Sequence, residues 1–96
     1  MTPAFRVLVT PHFERSFRKL EKHHPDLLEV YRSVIGILQV DPHGRSGSRA
    51  IKKLEGVRRG EGQYRLRIGR WRFRHDILGQ DVVLHHCGLR REDTYP

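Results

Sequence analysis

From Gln63 onward the apolar residues recur with a period of two, and two glycine-led dipeptides, Gly69-Arg70 and Gly79-Gln80, interrupt the pattern. Two-residue links with glycine first are the signature of type II′ hairpin turns, whose backbone twist matches that of the strands they join. The spacing therefore predicts three consecutive antiparallel strands, Tyr64–Ile68, Trp71–Leu78 and Val82–Cys87. A two-residue turn also sets the register of the first pair. Ile68 opposes Trp71, Arg67 opposes Arg72, Leu66 opposes Phe73 and Arg65 opposes Arg74. Successive side chains point to opposite faces of a strand. Tyr64, Leu66, Ile68, Trp71 and Phe73 thus share a core face, while Arg65, Arg67, Arg72 and Arg74 share the other. Like charges directly across a ladder are destabilising, so a face that stacks two arginine pairs calls for something other than water. Arginine supplies bidentate donors and stacking planes to phosphates, and the same face would also suit an acidic protein partner.

The first half of the chain has a different rhythm. Phe5–Val9 reads as a strand rich in β-formers. Thr10 before Pro11 is a helix start, a capping hydroxyl followed by proline in the first turn. Phe13, Phe17 and Leu20 form one helical stripe, which His23-His24-Pro25 ends. Asp26 is a candidate cap for a second helix carrying Leu27, Leu28, Tyr31, Val34, Ile35 and Leu38, closed by Asp41-Pro42 and Gly44. Residues 43–50 read as a polar loop, and Gly56 to Gly62 as a second, basic one. The predicted order is β-α-α-β-β-β: an α+β fold with a helical hairpin packed on a mainly antiparallel four-stranded sheet. With no repeat and no linker, residues 1–96 read as a single domain.

Charge narrows the class of function. The chain carries 19 Lys and Arg against 11 Asp and Glu, a formal net charge of +8. The excess is not spread evenly, because residues 45–74 hold eleven basic side chains against only Glu55 and Glu61. Clustered positive charge is the footprint of a polyanion binder. Besides the four strand arginines, Lys52, Lys53, Arg58, Arg59, Arg70 and Arg91 are candidates to extend a nucleic-acid-binding surface. No apolar run approaches a membrane span, no charged-then-apolar leader is visible, and the single cysteine, Cys87, requires no oxidising compartment. A cytoplasmic location is the expectation. No metal-ligand spacing, dinucleotide fingerprint or phosphate-binding loop occurs, so neither metal nor cofactor is expected.

Extending the register through Gly79-Gln80 places Ile77 opposite Val82, His75 opposite Leu84, and Arg74 opposite His85. That reading puts His85, Val83 and Cys87 on the arginine face and turns His86 to the core. An imidazole among guanidinium groups is held neutral and can accept a proton, which makes His85 a candidate base. A strand histidine also serves simply in packing.

These segments together resemble a known family. Phe13-Glu14-Arg15-Ser16-Phe17-Arg18-Lys19-Leu20, Asp41-Pro42, Lys53-Leu54-Glu55-Gly56, Tyr64 through Arg72, and Arg90-Arg91-Glu92-Asp93-Thr94-Tyr95 occur in the order typical of RelE/ParE-type toxins. The resemblance implies a protein like a small microbial ribonuclease, held inactive by a cognate antitoxin. In the RelE branch it implies cleavage of messenger RNA in the ribosomal decoding site. In the ParE branch the target is DNA gyrase, and most of the catalytic set is missing. By resemblance to the RelE pattern, Arg65 and Arg67 match two basic strand positions, Arg72 the hairpin arginine, Arg90 an arginine after the last strand, and Tyr95 a C-terminal tyrosine. Arg72 and Arg90 would then stabilise the phosphate in the transition state, and Tyr95 would stack on a base or orient the 2′-hydroxyl. Two departures matter. Arginine stands at two positions that are often lysine, and arginine is a poor base; the terminal segment is also one residue short, leaving Arg90 and Arg91 both open. An inactive toxin-fold binding protein is the third reading.

Overall fold

The protein is described here by a computed structural model covering residues 4–46 and 50–89. Strand β1 (Arg6–Val9) leads into helices α1 (Pro11–His23) and α2 (Leu27–Val40), followed by β2 (Ile51–Lys53), β3 (Tyr64–Ile68), β4 (Trp71–Leu78) and β5 (Asp81–Leu89). The sheet runs β1-β5-β4-β3-β2, antiparallel throughout except that β1 lies parallel to β5. The α+β class and the helical hairpin agree with the sequence reading, whereas the sheet has five strands instead of four. The added strand, Ile51-Lys52-Lys53, is three residues long and two-thirds lysine, a composition with little intrinsic β preference. Pairing with β3 recruits it, and its lysines suit an edge that must not accept another strand.

Local chemistry accounts for the helix ends. The Thr10 hydroxyl accepts a hydrogen bond from the Phe13 backbone N–H at 3.0 Å, with Pro11 in the first turn. Asp26 stands at the start of α2 but does not cap it with its side chain. Its carboxylate accepts instead from the Trp71 indole N–H at 3.0 Å and from Arg70 at 3.0 Å. The helix start thus gives up a cap to fasten the β3–β4 turn to the α1–α2 junction. At the other end of α2, the Asp41 carboxylate accepts from the backbone N–H groups of Arg45 and Ser46 and shapes the exit.

Both helices pack on one face of the sheet. Phe13, Leu27, Val34 and Leu38 meet Ile51, Leu66, Trp71, Phe73, Val82 and Leu84 in the core. His75 is fully buried on the same face, where its Nε2–H donates to the Pro42 carbonyl at 2.9 Å and its ring stacks on Tyr64. Burial lowers its pKa, so the ring is neutral there. Gly69 and Gly79 have φ of +56° and +60° while Arg70 and Gln80 do not share positive φ, as type II′ turns require. Gly36, in contrast, sits in the exposed interior of α2 with nothing near a potential Cβ. The two glycines should therefore respond to alanine with opposite sign. Gly36→Ala is expected to stabilise by about 0.5–1 kcal/mol, and Gly69→Ala to destabilise by about 1–2 kcal/mol. Thermal melts of the two variants check this directly.

Candidate nucleic-acid interface

The face of the sheet turned away from the helices carries the arginines. On β3 and β4, Arg65 faces Arg74 and Arg67 faces Arg72, the register that the two-residue turn implies. The ladder is longer than those pairs. Lys52 lies opposite Arg65 across β2, and His86 lies opposite Arg74 across β5. One rank therefore reads Lys52, Arg65, Arg74, His86 across four strands, and a second reads Arg67, Arg72, Gly88.

The β5 end of these ranks differs from the extrapolated register. Ile77 does oppose Val82 and His75 does oppose Leu84, but a bulge follows, and Arg74 is opposite His86 instead of His85. An extra residue in one strand leaves two side chains opposing one and shifts every later residue to the other face. Cys87 consequently opposes Phe73 and packs against the core, not on the arginine face, and His86 is exposed instead of pointing inward. Nor do His85 and His86 point to opposite faces. Burial pushes the Cys87 thiol up to about 12, so it is no nucleophile.

His85 is held by a residue that the sequence reading passed over. Its Nε2 lies 2.9 Å from Asp76 Oδ2, and Asp76 is only 1% exposed. The carboxylate also accepts from the backbone N–H groups of Gly60 at 2.6 Å, Gln63 at 2.8 Å and Gly62 at 3.3 Å. Burial alone would raise its pKa, but the donors from Gln63, Gly60 and Gly62 and the His85 ring outweigh it, and the net shift is downward. A buried anion thus anchors the Gly56–Gly62 loop over the sheet. Gly62 is obligatory in it: φ is +85°, a Cβ would lie 2.8 Å from that of Arg74, and its carbonyl accepts from Arg74 Nε at 3.1 Å. The sequence signal was present in Asp76, the one acidic residue in an arginine-rich strand, and in the Gly60-Glu61-Gly62 turn beside it.

Between β4 and β5 the face opens into a cleft of about 340 Å³ lined by Leu54, Arg72, Arg74, His86, Cys87, Gly88 and Leu89. Gly88 opposes Arg72, and a Cβ there would meet nothing, so the missing side chain keeps the floor open. The structure brings Lys52, Arg65, Arg67, Arg72 and Arg74 to one face and leaves Arg58 and Arg59 exposed on the adjoining loop. It does not bring two other candidates there. Lys53 lies opposite Tyr64 with its ammonium 5.7 Å from the ring centroid, and Arg70 is engaged with Asp26 and the Trp71 ring. Arg90, Arg91 and Tyr95 lie outside the described residues. Among the described residues no cluster of three metal-ligating side chains occurs, and no helix is long and apolar enough to cross a membrane.

A helical hairpin on one face of a mainly antiparallel sheet, with the other face cationic, defines a RelE-like fold. The chain is similar to one in the crystal structure of the archaeal RelE–RelB complex from Pyrococcus horikoshii OT3, with a TM-score of 0.59 and 24% identity over 91% of this chain and 96% of that one. At that identity the likeness is one of fold. No family model and no curated protein matches the sequence.

Because the folded-state pKa of Asp76 lies below the ordinary value of 3.8, its contribution to stability is complete above that value. The contribution is lost as the pH falls through the lower folded value. Replacing one member of a buried, hydrogen-bonded charge cluster costs about 3–5 kcal/mol. Asp76→Asn should therefore lower the melting temperature at neutral pH by about 12 °C or more, and the gap to wild type should narrow as the pH drops into the carboxylate range. A pH series of thermal melts measures both.

Proposed function

We propose that this chain is the toxin half of a toxin–antitoxin pair and acts as a metal-independent endoribonuclease on messenger RNA, on the ribosome in the cytoplasm. The observation that carries the reading is the doubled rank of cations across the exposed sheet face, bordering an open cleft. A solvated face would mix signs to avoid the like-charge penalty; one built to hold phosphates would not. The RelE-like fold supports the same reading, and by analogy with the RelE–RelB complex the partner is an antitoxin protein that covers this chain until it is removed.

In this mechanism the RNA supplies its own nucleophile. The ribose 2′-oxygen loses its proton and bonds to the adjacent phosphorus as the bond from phosphorus to the 5′-oxygen breaks. The 5′-oxygen takes up a proton, leaving a 2′,3′-cyclic phosphate and a 5′-hydroxyl. Negative charge on the phosphoryl oxygens grows at the transition state, and preorganised donors aimed at it are the main source of rate. Arg65, Arg67 and Arg72 would hold the phosphate from the sheet, with Arg74, Lys52, Arg58 and Arg59 guiding the strand. By resemblance, Arg90 would join them and Tyr95 would stack on a base or orient the 2′-hydroxyl. Arginine is a poor proton acceptor, so proton movement falls to His85 or the histidine beside it.

Two outcomes are expected. Induced wild-type protein should generate new messenger RNA ends in cells, and Arg72→Ala should reduce cleavage by about 10²–10³-fold. Gyrase-dependent DNA damage without new RNA ends would contradict the ribonuclease reading and favour a gyrase-directed toxin. Binding to single-stranded RNA should weaken with salt, and Arg67→Ala should reduce the slope of log affinity against log salt by about 0.7, one phosphate contact.

A further inference from the structure

The two adjacent histidines on β5 have different surroundings. His85 has Nε2 on the buried Asp76 carboxylate, a side chain 18% exposed, and no place in the lining of the cleft. His86 is exposed, lies directly across from Arg74, and lines the cleft together with Arg72 and Arg74. The bulge is what delivers it there. Without the extra residue, His86 would fall on the core side of β5, and His85 would stand across from Arg74 in its place.

We propose that His86 is the general base of the cleft, taking the proton from the RNA 2′-hydroxyl at a phosphate held by Arg72 and Arg74. This rests on the ribonuclease reading. His85 is a positioning residue: pinned through Asp76 to the Gly60–Gln63 backbone, it fixes the bulge that aims its neighbour. The groups facing His86 are Arg72 and Arg74 on β4, His12 in the first turn of α1, whose ring meets it edge to face at 5.4 Å, and His85 on its own strand. Partial burial of the ring first, then Arg74, His12 and His85, lower its pKa. It is therefore neutral near pH 7 and able to accept a proton. The imidazole gains the 2′-hydroxyl proton as the 2′-oxygen bonds to phosphorus, the 5′-oxygen leaves and is protonated by water, and the imidazolium then returns its proton to solvent.

The test is the pH dependence of single-turnover messenger RNA cleavage on programmed ribosomes, with the full chain and its His86→Gln and His85→Gln variants, over about pH 5 to pH 8. Wild type should lose rate on the acid side as His86 takes a proton. His86→Gln should cut the rate by about 10²–10⁴-fold and abolish that acid limb, while binding RNA blocked by a 2′-deoxy substitution as tightly as wild type. His85→Gln should slow the reaction but retain the limb. An acid limb that survives in His86→Gln and vanishes in His85→Gln would overturn the assignment while leaving the ribonuclease reading intact. Failure of wild type to cleave at any pH would overturn that reading, and this proposal with it.

Discussion

One buried carboxylate fixes the loop that borders the arginine face. Asp76 sits on the same side of β4 as Arg72 and Arg74 and is almost fully removed from solvent. Three backbone N–H groups and the His85 ring satisfy it. An isolated buried charge is costly, and one this well coordinated becomes an anchor. It ties the Gly56–Gly62 loop down beside Arg74, and the Gly62 carbonyl in turn orients the Arg74 guanidinium. A strand crowded with cations thereby gains a single fixed anion, placed at the end of the ranks and away from the cleft lining.

On the proposed function, this arrangement separates holding from chemistry. The cations of Lys52, Arg65, Arg67, Arg72 and Arg74 form a continuous electrostatic track across the sheet. Arg70 is spent elsewhere, joining Trp71 on Asp26 to fasten the hairpin to the helices. The helices contribute the core and the rigidity of the sheet, and α1 contributes His12 to the edge of the site. Functional side chains carried on strands of a packed sheet are held more accurately than side chains on loops.

Much of this was legible in the sequence because it is written in local periodicity. The β3–β4 hairpin follows from Gly69-Arg70, whose turn type leaves only one register, and the α1 cap follows from Thr10-Pro11. The unread parts are those that tertiary contacts decide. Strand β2 is too short and too rich in lysine to announce itself, and exists because β3 offers it a partner. The bulge at His85 leaves no mark in the alternation of Val82 to Leu84, so extrapolation from the second turn runs correctly to His75 and then fails by one residue. Asp26 looks like a cap by position and becomes a tether because Trp71 and Arg70 reach it. Asp76 is visible as an oddity, but its role depends on a loop from more than a dozen residues away in sequence.

On the proposed function, this face holds RNA for attack by its own 2′-hydroxyl, with arginine supplying the charge. The end chemistry of messenger RNA cut on programmed ribosomes measures this most directly. Cleavage by the 2′-hydroxyl leaves 2′,3′-cyclic phosphate and 5′-hydroxyl ends. Products with 5′-phosphate and 3′-hydroxyl ends would contradict it.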